Sequence, residues 1–587
     1  MKTLKKRNLF ILFFTAILTI MLLATGCNQK QINPKTREDF DAFTKEVFVD
    51  QVQSDSITLN YTLSKPEKYG IKNFTPTLGE YTLEENEENL VKYENYLKRL
   101  KDFDYDSLTK DQKLTYDILK ESLSLNLNLG KYPLYSEILS PTIGFQAQLP
   151  VLYAEYNFYD KEDIDDYIKL LNCTDDYFKQ IVAIEKEKSK QGLFMNDTAV
   201  KDIIDQCNTF IKDKKNNLLI TVFNDKVSSF KGLTKDEIRN YKKANKDAVL
   251  TSVIPAYENL ISELSKLKGT GKNAGGLCNF KNGKEYYKLL VQSETGSKKS
   301  ISELTDLLED TMNHNIAKMQ AIVLVKPDAL DAMEKVKYKL TDPKEIINYL
   351  KTAINKNYPA LNDVNCTIKY VDKSLQDFLS PAFYLTPAID NYADNSIYIN
   401  KSEQFDQSTI FTTIAHEGYP GHLYQCVYFN EQNPAPIRSV LNFGGYTEGW
   451  ATYVELDSYS LAGLDKSVAS LLEKNMAATL CLYARVDIGV NYEGWTKKET
   501  GNFLLKVLNT DDDKTVNEFY KSVVEEPGNY LQYTIGYLEF NELRDKAKKQ
   551  LGDRFVLKDF HEFLLKTGPA PFDVIDNRLD SWIDAQK

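Results

Sequence analysis

The chain holds only four histidines, and two of them stand six positions apart in the run Thr412-Thr413-Ile414-Ala415-His416-Glu417-Gly418-Tyr419-Pro420-Gly421-His422. Imidazole nitrogens and carboxylate oxygens are zinc ligands, and a catalytic zinc takes three protein ligands and leaves its fourth position for water or substrate. In the helical arrangement His-Glu-x-x-His, a step of four residues turns about 400° and sets both imidazoles on one face. A step of six turns about 600°, which on a regular helix leaves the second imidazole roughly 120° off the first. A straight helix therefore fails as a chelate. Pro420 removes the objection, because it cannot donate to the carbonyl of His416 and its ring clashes there, so the helix must kink, widen or break. Gly418 and Gly421 add backbone freedom on either side.

The third ligand has to come from another segment. Gly444-Gly445-Tyr446-Thr447-Glu448-Gly449-Trp450-Ala451-Thr452-Tyr453-Val454-Glu455 begins far enough beyond His422 for one helix to end, a loop with Pro434 and Pro436 to turn, and a second helix to return antiparallel. Glu448 and Glu455 are two helical turns apart and share a face. One can ligate the metal while the other holds an imidazole N–H from behind, and Glu448 is the preferred ligand.

The elements that position these residues read as helices. After Ser300, the residues Ile301, Leu304, Leu308, Met312, Ile316 and Met319 recur at helical steps, and Ser300 with Glu303 forms a capping-box pattern. Similar periodicity marks residues 89–100, 163–188, 235–267 and 516–524. Ala382-Phe383-Tyr384-Leu385 and Ser396-Ile397-Tyr398-Ile399, joined through the turn-rich stretch 390–395, predict a hairpin or small sheet. Residues 268–283 carry glycines and no periodicity, and a chain of 587 residues exceeds one compact core. The expected architecture is mainly α and two-lobed, an N-terminal helical lobe over 36–275 and a metal-binding lobe over 276–587, with a small β-sheet near the cleft.

The first residues address the compartment. Lys2, Lys5, Lys6 and Arg7 precede an apolar run, which ends in Leu23-Ala24-Thr25-Gly26-Cys27. This is the n-region and h-region of a signal peptide, and small residues directly before a cysteine resemble a bacterial lipobox. The expectation is a signal peptide over 1–26, lipid on Cys27, a polar tether over 27–35 and an extracytoplasmic protein held at the cell membrane. Cleavage removes four positive charges and no negative one, taking the formal charge from −11 to −15. So acidic a chain is a poor partner for nucleic acid. The cysteines beyond Cys27 are scattered without a CxxC pair, which argues against a cysteine metal site.

The run from His416 to His422 with Gln425, followed by Glu448-Gly449-Trp450-Ala451, Tyr453 and Glu455, resembles the bacterial family called domain of unknown function 885, itself similar to helical zinc metallopeptidases of the gluzincin type. Further landmarks stand in the family's order: Ser380-Pro381-Ala382-Phe383-Tyr384, Asp487 with Gly489, Gly494-Trp495, Pro527-Gly528 with Tyr533 and Gly536, Leu543-Arg544, and Phe560-His561 with Leu564-Leu565. The resemblance covers residue 36 to the end. It implies a metallopeptidase-like fold, a zinc cofactor on His416, His422 and Glu448, and hydrolysis of extracytoplasmic peptides. Glu417 then activates the water and Tyr533 supports the oxyanion, with Glu455 behind a ligand. Asn491 stands where the family often has histidine, and Asn529 where glutamine is frequent, which puts any proton transfer at the first in doubt.

Blander readings stand beside these. His314 lies off its helix's apolar stripe, and His561 beside Leu564-Leu565 reads as structural. Glu455 is as readily a packing carboxylate, and Arg485 and Arg544 fit interhelical salt bridges as well as a clamp on a peptide carboxylate. The alternative function is a catalytically silent metal- or peptide-binding lipoprotein with a peptidase-like fold.

Overall fold

The computed structural model describes residues 36–587 apart from 142, 374, 375, 377, 378, 510 and 511. The signal segment 1–26, Cys27 and the tether through 35 lie outside the described residues. The chain is mainly helical with one small three-stranded sheet.

Local chemistry sets many of the helix starts. Ser300 and Glu303 form the expected capping box, Ser300 Oγ accepting from the Glu303 amide at 3.3 Å and Glu303 Oε2 from the Ser300 amide at 2.7 Å. The helix runs Ile301–Val325 with Ile301, Leu304, Leu308 and Met312 buried, whereas Ile316 and Met319 are only half-buried. Residues 89–100 lie inside a helix Leu83–Lys101 begun by Thr82, and 516–524 inside Asp513–Glu525.

Two long periodic stretches are more broken than their patterns predict. Residues 163–188 form two helices, Lys161–Asn172 and Thr174–Gln191, that meet at Cys173. Each buries its own stripe, so the apolar repeat carries through the joint and hides it. Over 235–267 the chain stays helical but widens to π geometry at Val249–Val253, just before Pro255 opens the next α-helical stretch Ile254–Leu267. Proline cannot donate to the ladder, and the wide turn accommodates the lost bond.

The sheet contains strands β1 (Asn365–Tyr370), β2 (Ala382–Leu385) and β3 (Asp394–Ile399) in the order β1-β3-β2. The expected β2–β3 pair is present and antiparallel, Tyr384 opposite Ile397. The parallel partner β1, Ile368 opposite Ile397, is an addition to the sequence reading. Its run Asn-Cys-Thr-Ile-Lys-Tyr is too polar and short to announce a strand. This arrangement leaves β2 as an edge strand.

Behind the sheet and the histidine motif lies one apolar cluster, which includes Ile397, Ile414, Leu423, Trp450, Phe540 and Phe560. These side chains anchor the backs of the elements whose polar faces build the site.

Candidate metal centre

His416 ends a short, mostly buried helix, Ile410–Glu417, with Ile410, Phe411, Ile414 and Ala415 turned into the core. The helix breaks rather than kinks. Residues 418–421 are non-helical, with Tyr419–Pro420 a cis peptide, and a new helix, His422–Glu431, starts at the second histidine. The break is tightly tied. The Gly421 amide donates to Ala415 O at 3.0 Å, and the Trp450 indole donates to Pro420 O at 2.9 Å. Gly421 passes so near the first helix that a Cβ there would stand 1.7 Å from His416 O, a position only glycine can fill. Two helices with separate axes thus remove the 120° mismatch, and the two imidazoles meet with ring centres 4.8 Å apart and planes at 83°.

Glu448 comes from the helix Gly444–Ser458. Its Oε2 lies 3.6 Å from His416 Nε2 and 3.4 Å from His422 Nε2. One ligand atom from each of the three residues falls within 4.8 Å of the others. Two ligands each ~2.0–2.1 Å from a tetrahedral zinc stand about 3.4 Å apart, whereas a charge-assisted hydrogen bond closes to roughly 2.7–2.9 Å. The Glu448 contacts match the chelate spacing better than the hydrogen bond.

Glu455, two turns further on the same face, places Oε2 3.0 Å from His416 Nδ1. An ionised carboxylate only accepts, so Nδ1 carries the proton and the Nε2 lone pair faces Glu448. Glu417 is buried, and its Oε2 accepts from the Tyr384 amide of β2 at 2.8 Å. The edge strand therefore points a backbone N–H into the site.

The electrostatics favour a cation. Burial pulls the His416 imidazole toward neutrality, but the adjacent Glu448 and Glu455 carboxylates outweigh it and hold its pKa well above the ordinary value. Burial pushes Glu448 up, and the two facing imidazoles overcome this and hold it well below the carboxylate range. At Glu417 burial outweighs the two imidazoles and the Tyr384 amide, and leaves its pKa raised. Three carboxylates around two imidazoles carry a surplus of negative charge that a divalent ion neutralises. The donor set and its spacing therefore fit zinc.

Tyr533 belongs to the helix Asn529–Leu551, and its ring lies 6.5 Å from the His416 ring at 29°. Burial lifts its phenol pKa well above 10, so it remains a donor. A close helix crossing sets it there. A Cβ on Gly449 would fall 2.4 Å from Gly536 Cα, so the helices that carry Glu448 and Tyr533 meet almost backbone to backbone. A cavity of about 380 Å³ adjoins the centre, with Tyr384, His422, Thr447 and Glu448 in its wall.

The remaining sequence candidates stand elsewhere. His314 is exposed on the Ile301–Val325 helix. His561 is buried, with Nδ1 at 2.8 Å from Asn357 O and Nε2 at 3.0 Å from Tyr453 OH. Arg485 binds Glu309 and Glu493 and lies over Trp495, and Arg544 pairs with Asp545. Both arginines thus have structural partners. Asn491 is fully buried, donating to Asp487 and to Val523 O and accepting from the Leu277 amide, which makes it a joint between segments. Asn529 stands 3.4 Å from Glu526. Sequence reasoning missed the Tyr384 N–H on Glu417 and the Trp450 tie to Pro420, since neither contact leaves a periodic or spacing signal.

The fold and the cluster define a mainly helical protein with a half-buried His-His-Glu centre beside an edge strand. The model of the family described as bacterial protein of unknown function DUF885 matches residues 67–579, and the chain belongs to that family. No curated protein matches it. Among solved structures it is similar to a protein from Colwellia psychrerythraea described as a candidate lipoprotein, at 19% identity and a TM-score of 0.81, covering 94% of this chain and 100% of that one. It is also similar to a candidate lipoprotein of unknown function from Shewanella oneidensis, at 15% identity and a TM-score of 0.62, covering 92% and 99%. At these identities the likeness is one of fold.

Proposed function

We propose that this protein is an extracytoplasmic zinc peptidase of the gluzincin type, lipid-anchored through Cys27. The observation that carries the reading is the convergence of His416, His422 and Glu448, with Glu455 behind one imidazole and the unligated Glu417 beside it. A purely structural zinc has no use for such a base and takes a fourth protein ligand. In support of the anchor, the two similar structures named above are described as candidate lipoproteins. On this reading the fold is two-lobed and metallopeptidase-like. One apolar cluster drawn from residues 78–264, with only Val371 and Tyr398 added from beyond among its buried members, is consistent with a separate N-terminal lobe.

Zinc held by the three ligands supplies Lewis acidity for the scissile carbonyl and lowers the pKa of its water toward ~7. Glu417 takes the proton of the attacking water and returns it to the leaving amine. The Tyr533 hydroxyl donates to the oxyanion that develops on the carbonyl. Glu455 keeps the His416 ring in one tautomer and orientation. An extended peptide lies along the outer edge of β2, where backbone pairing holds it in register with Glu417.

The test is turnover of a mixed peptide library by the zinc-loaded protein, with products read by mass spectrometry. Glu417→Gln is expected to lower turnover by about 10²–10⁴ without loss of zinc. Tyr533→Phe is expected to cost about 10²–10³ in kcat with little change in KM. Full activity in Glu417→Gln would remove that residue from its role, and bound zinc without any turnover would favour the catalytically silent alternative.

A further inference from the structure

The cavity beside the centre carries an unusual pairing of buried donors. Arg438 lies in its wall only 4% exposed. One guanidinium nitrogen, Nη2, donates to Thr567 O at 2.7 Å and to Pro569 O at 3.1 Å, and the group lies 5.3 Å over the Phe429 ring. These contacts hold the guanidinium in place without neutralising it. Its Nε is buried with no acceptor, and among the described residues no carboxylate lies within ion-pair distance of it, Asp111 acting only through its charge. Gln425, also 4% exposed and in the same wall, has a buried amide nitrogen that likewise lacks an acceptor.

A buried guanidinium without a carboxylate in contact and a buried amide without an acceptor are each costly, and such groups call for a ligand, an ion or a water to complete them. Among the described residues lining this cavity only Glu448 is acidic, and its carboxylate already faces the two imidazoles. The surplus is therefore one of positive charge and N–H donors, which a carboxylate satisfies. The volume, about 380 Å³, lies in the range of a small-ligand pocket and adjoins His422 and Glu448 directly.

We infer that this pocket receives a carboxylate of the substrate, recognised by Arg438 and Gln425, next to the bond to be cleaved. The inference rests on the peptidase reading for the identity of the ligand as a peptide. The carboxylate is either a chain terminus, which makes the enzyme cut near the end of short peptides, or an acidic side chain, which sets a residue preference. Arg438 supplies charge, and Gln425 supplies a directional hydrogen bond one helical turn beyond His422.

Calorimetric titration of Glu417→Gln protein separates the sources, because it reads binding whether or not hydrolysis occurs. Three acetylated tripeptides serve as probes: trialanine with a free C-terminus, trialanine amide, and the amide with glutamate last. At least one carboxylate peptide is expected to bind about tenfold or more tightly than trialanine amide, in keeping with hydrogen bonds to charged groups. Arg438→Met should abolish that preference. Since Arg438 also holds the Thr567 and Pro569 carbonyls, Gln425→Leu is the second variant, and it should reduce the preference at least about threefold. Equal binding of all three peptides, absence of binding, or a preference unchanged in folded Gln425→Leu would each overturn the assignment. A carboxylate preference in a protein that hydrolyses nothing would sink the peptidase reading alone, and hydrolysis without the preference would sink only this one.

Discussion

The helix Gly444–Ser458 serves two histidines, one half-buried and one buried, in opposite ways. Toward one side it presents Glu448 and Glu455 to His416, and toward the other it presents Tyr453 to His561. His561 is complete, since its ring is matched by one carbonyl and one hydroxyl, and burial pushes its pKa down to about 4. His416 is over-supplied with carboxylate, and its pKa moves the other way. Removal from water alone therefore does not decide what a histidine does. The charge of its partners does, and only the side with surplus anionic oxygen is organised for a cation.

That contrast can be broken from either side. The largest effect is expected at Glu448, where Ala leaves two imidazoles without their third ligand and should abolish stoichiometric zinc binding at micromolar protein, read by metal analysis after dialysis. Glu455→Gln retains an acceptor but loses the charge, and should weaken zinc about 10–100-fold in a competition titration against a chelator. His561→Gln should leave zinc affinity unchanged and act on stability alone.

The sign at His561 follows from linkage. Its folded pKa of about 4 lies below the unfolded value of ~6.5, so between these limits the unfolded chain binds more protons. The neutral buried ring thus contributes stability that is fully present above pH ~6.5 and is lost as the pH falls toward 4, on the order of 3 kcal/mol. Thermal melts of parent and His561→Gln should converge on acidification through that window. Parallel curves would contradict the neutral-ring account.

Much of the site was legible because its chemistry is local. The pair His416 and His422, Pro420 between them and the two glutamates on one helical face are all readable from the sequence, and the structure brings them together across the break. The form of the break was not legible, because a proline demands an interruption without specifying whether the helix bends or restarts. Trp450 gave no sign of tying Pro420, and the polar strand β1 gave none of its pairing with β3, since both depend on partners distant in sequence. The same limit hid Arg438. A guanidinium reads as charged in any sequence, and only three dimensions reveal that its Nε lacks an acceptor. Long apolar repeats showed where helices lie but not the joint at Cys173, where one buried stripe passes into the next.

The central claim is that His416, His422 and Glu448 share one ion. X-ray absorption at the zinc edge, together with anomalous diffraction from zinc-loaded crystals, tests it directly. The account predicts a single ion bound by two imidazole nitrogens and one carboxylate oxygen at about 2.0–2.2 Å, with an exchangeable fourth position. An ion bound elsewhere, a first shell with fewer than two imidazoles, or no peak between these residues in zinc-saturated crystals would contradict it.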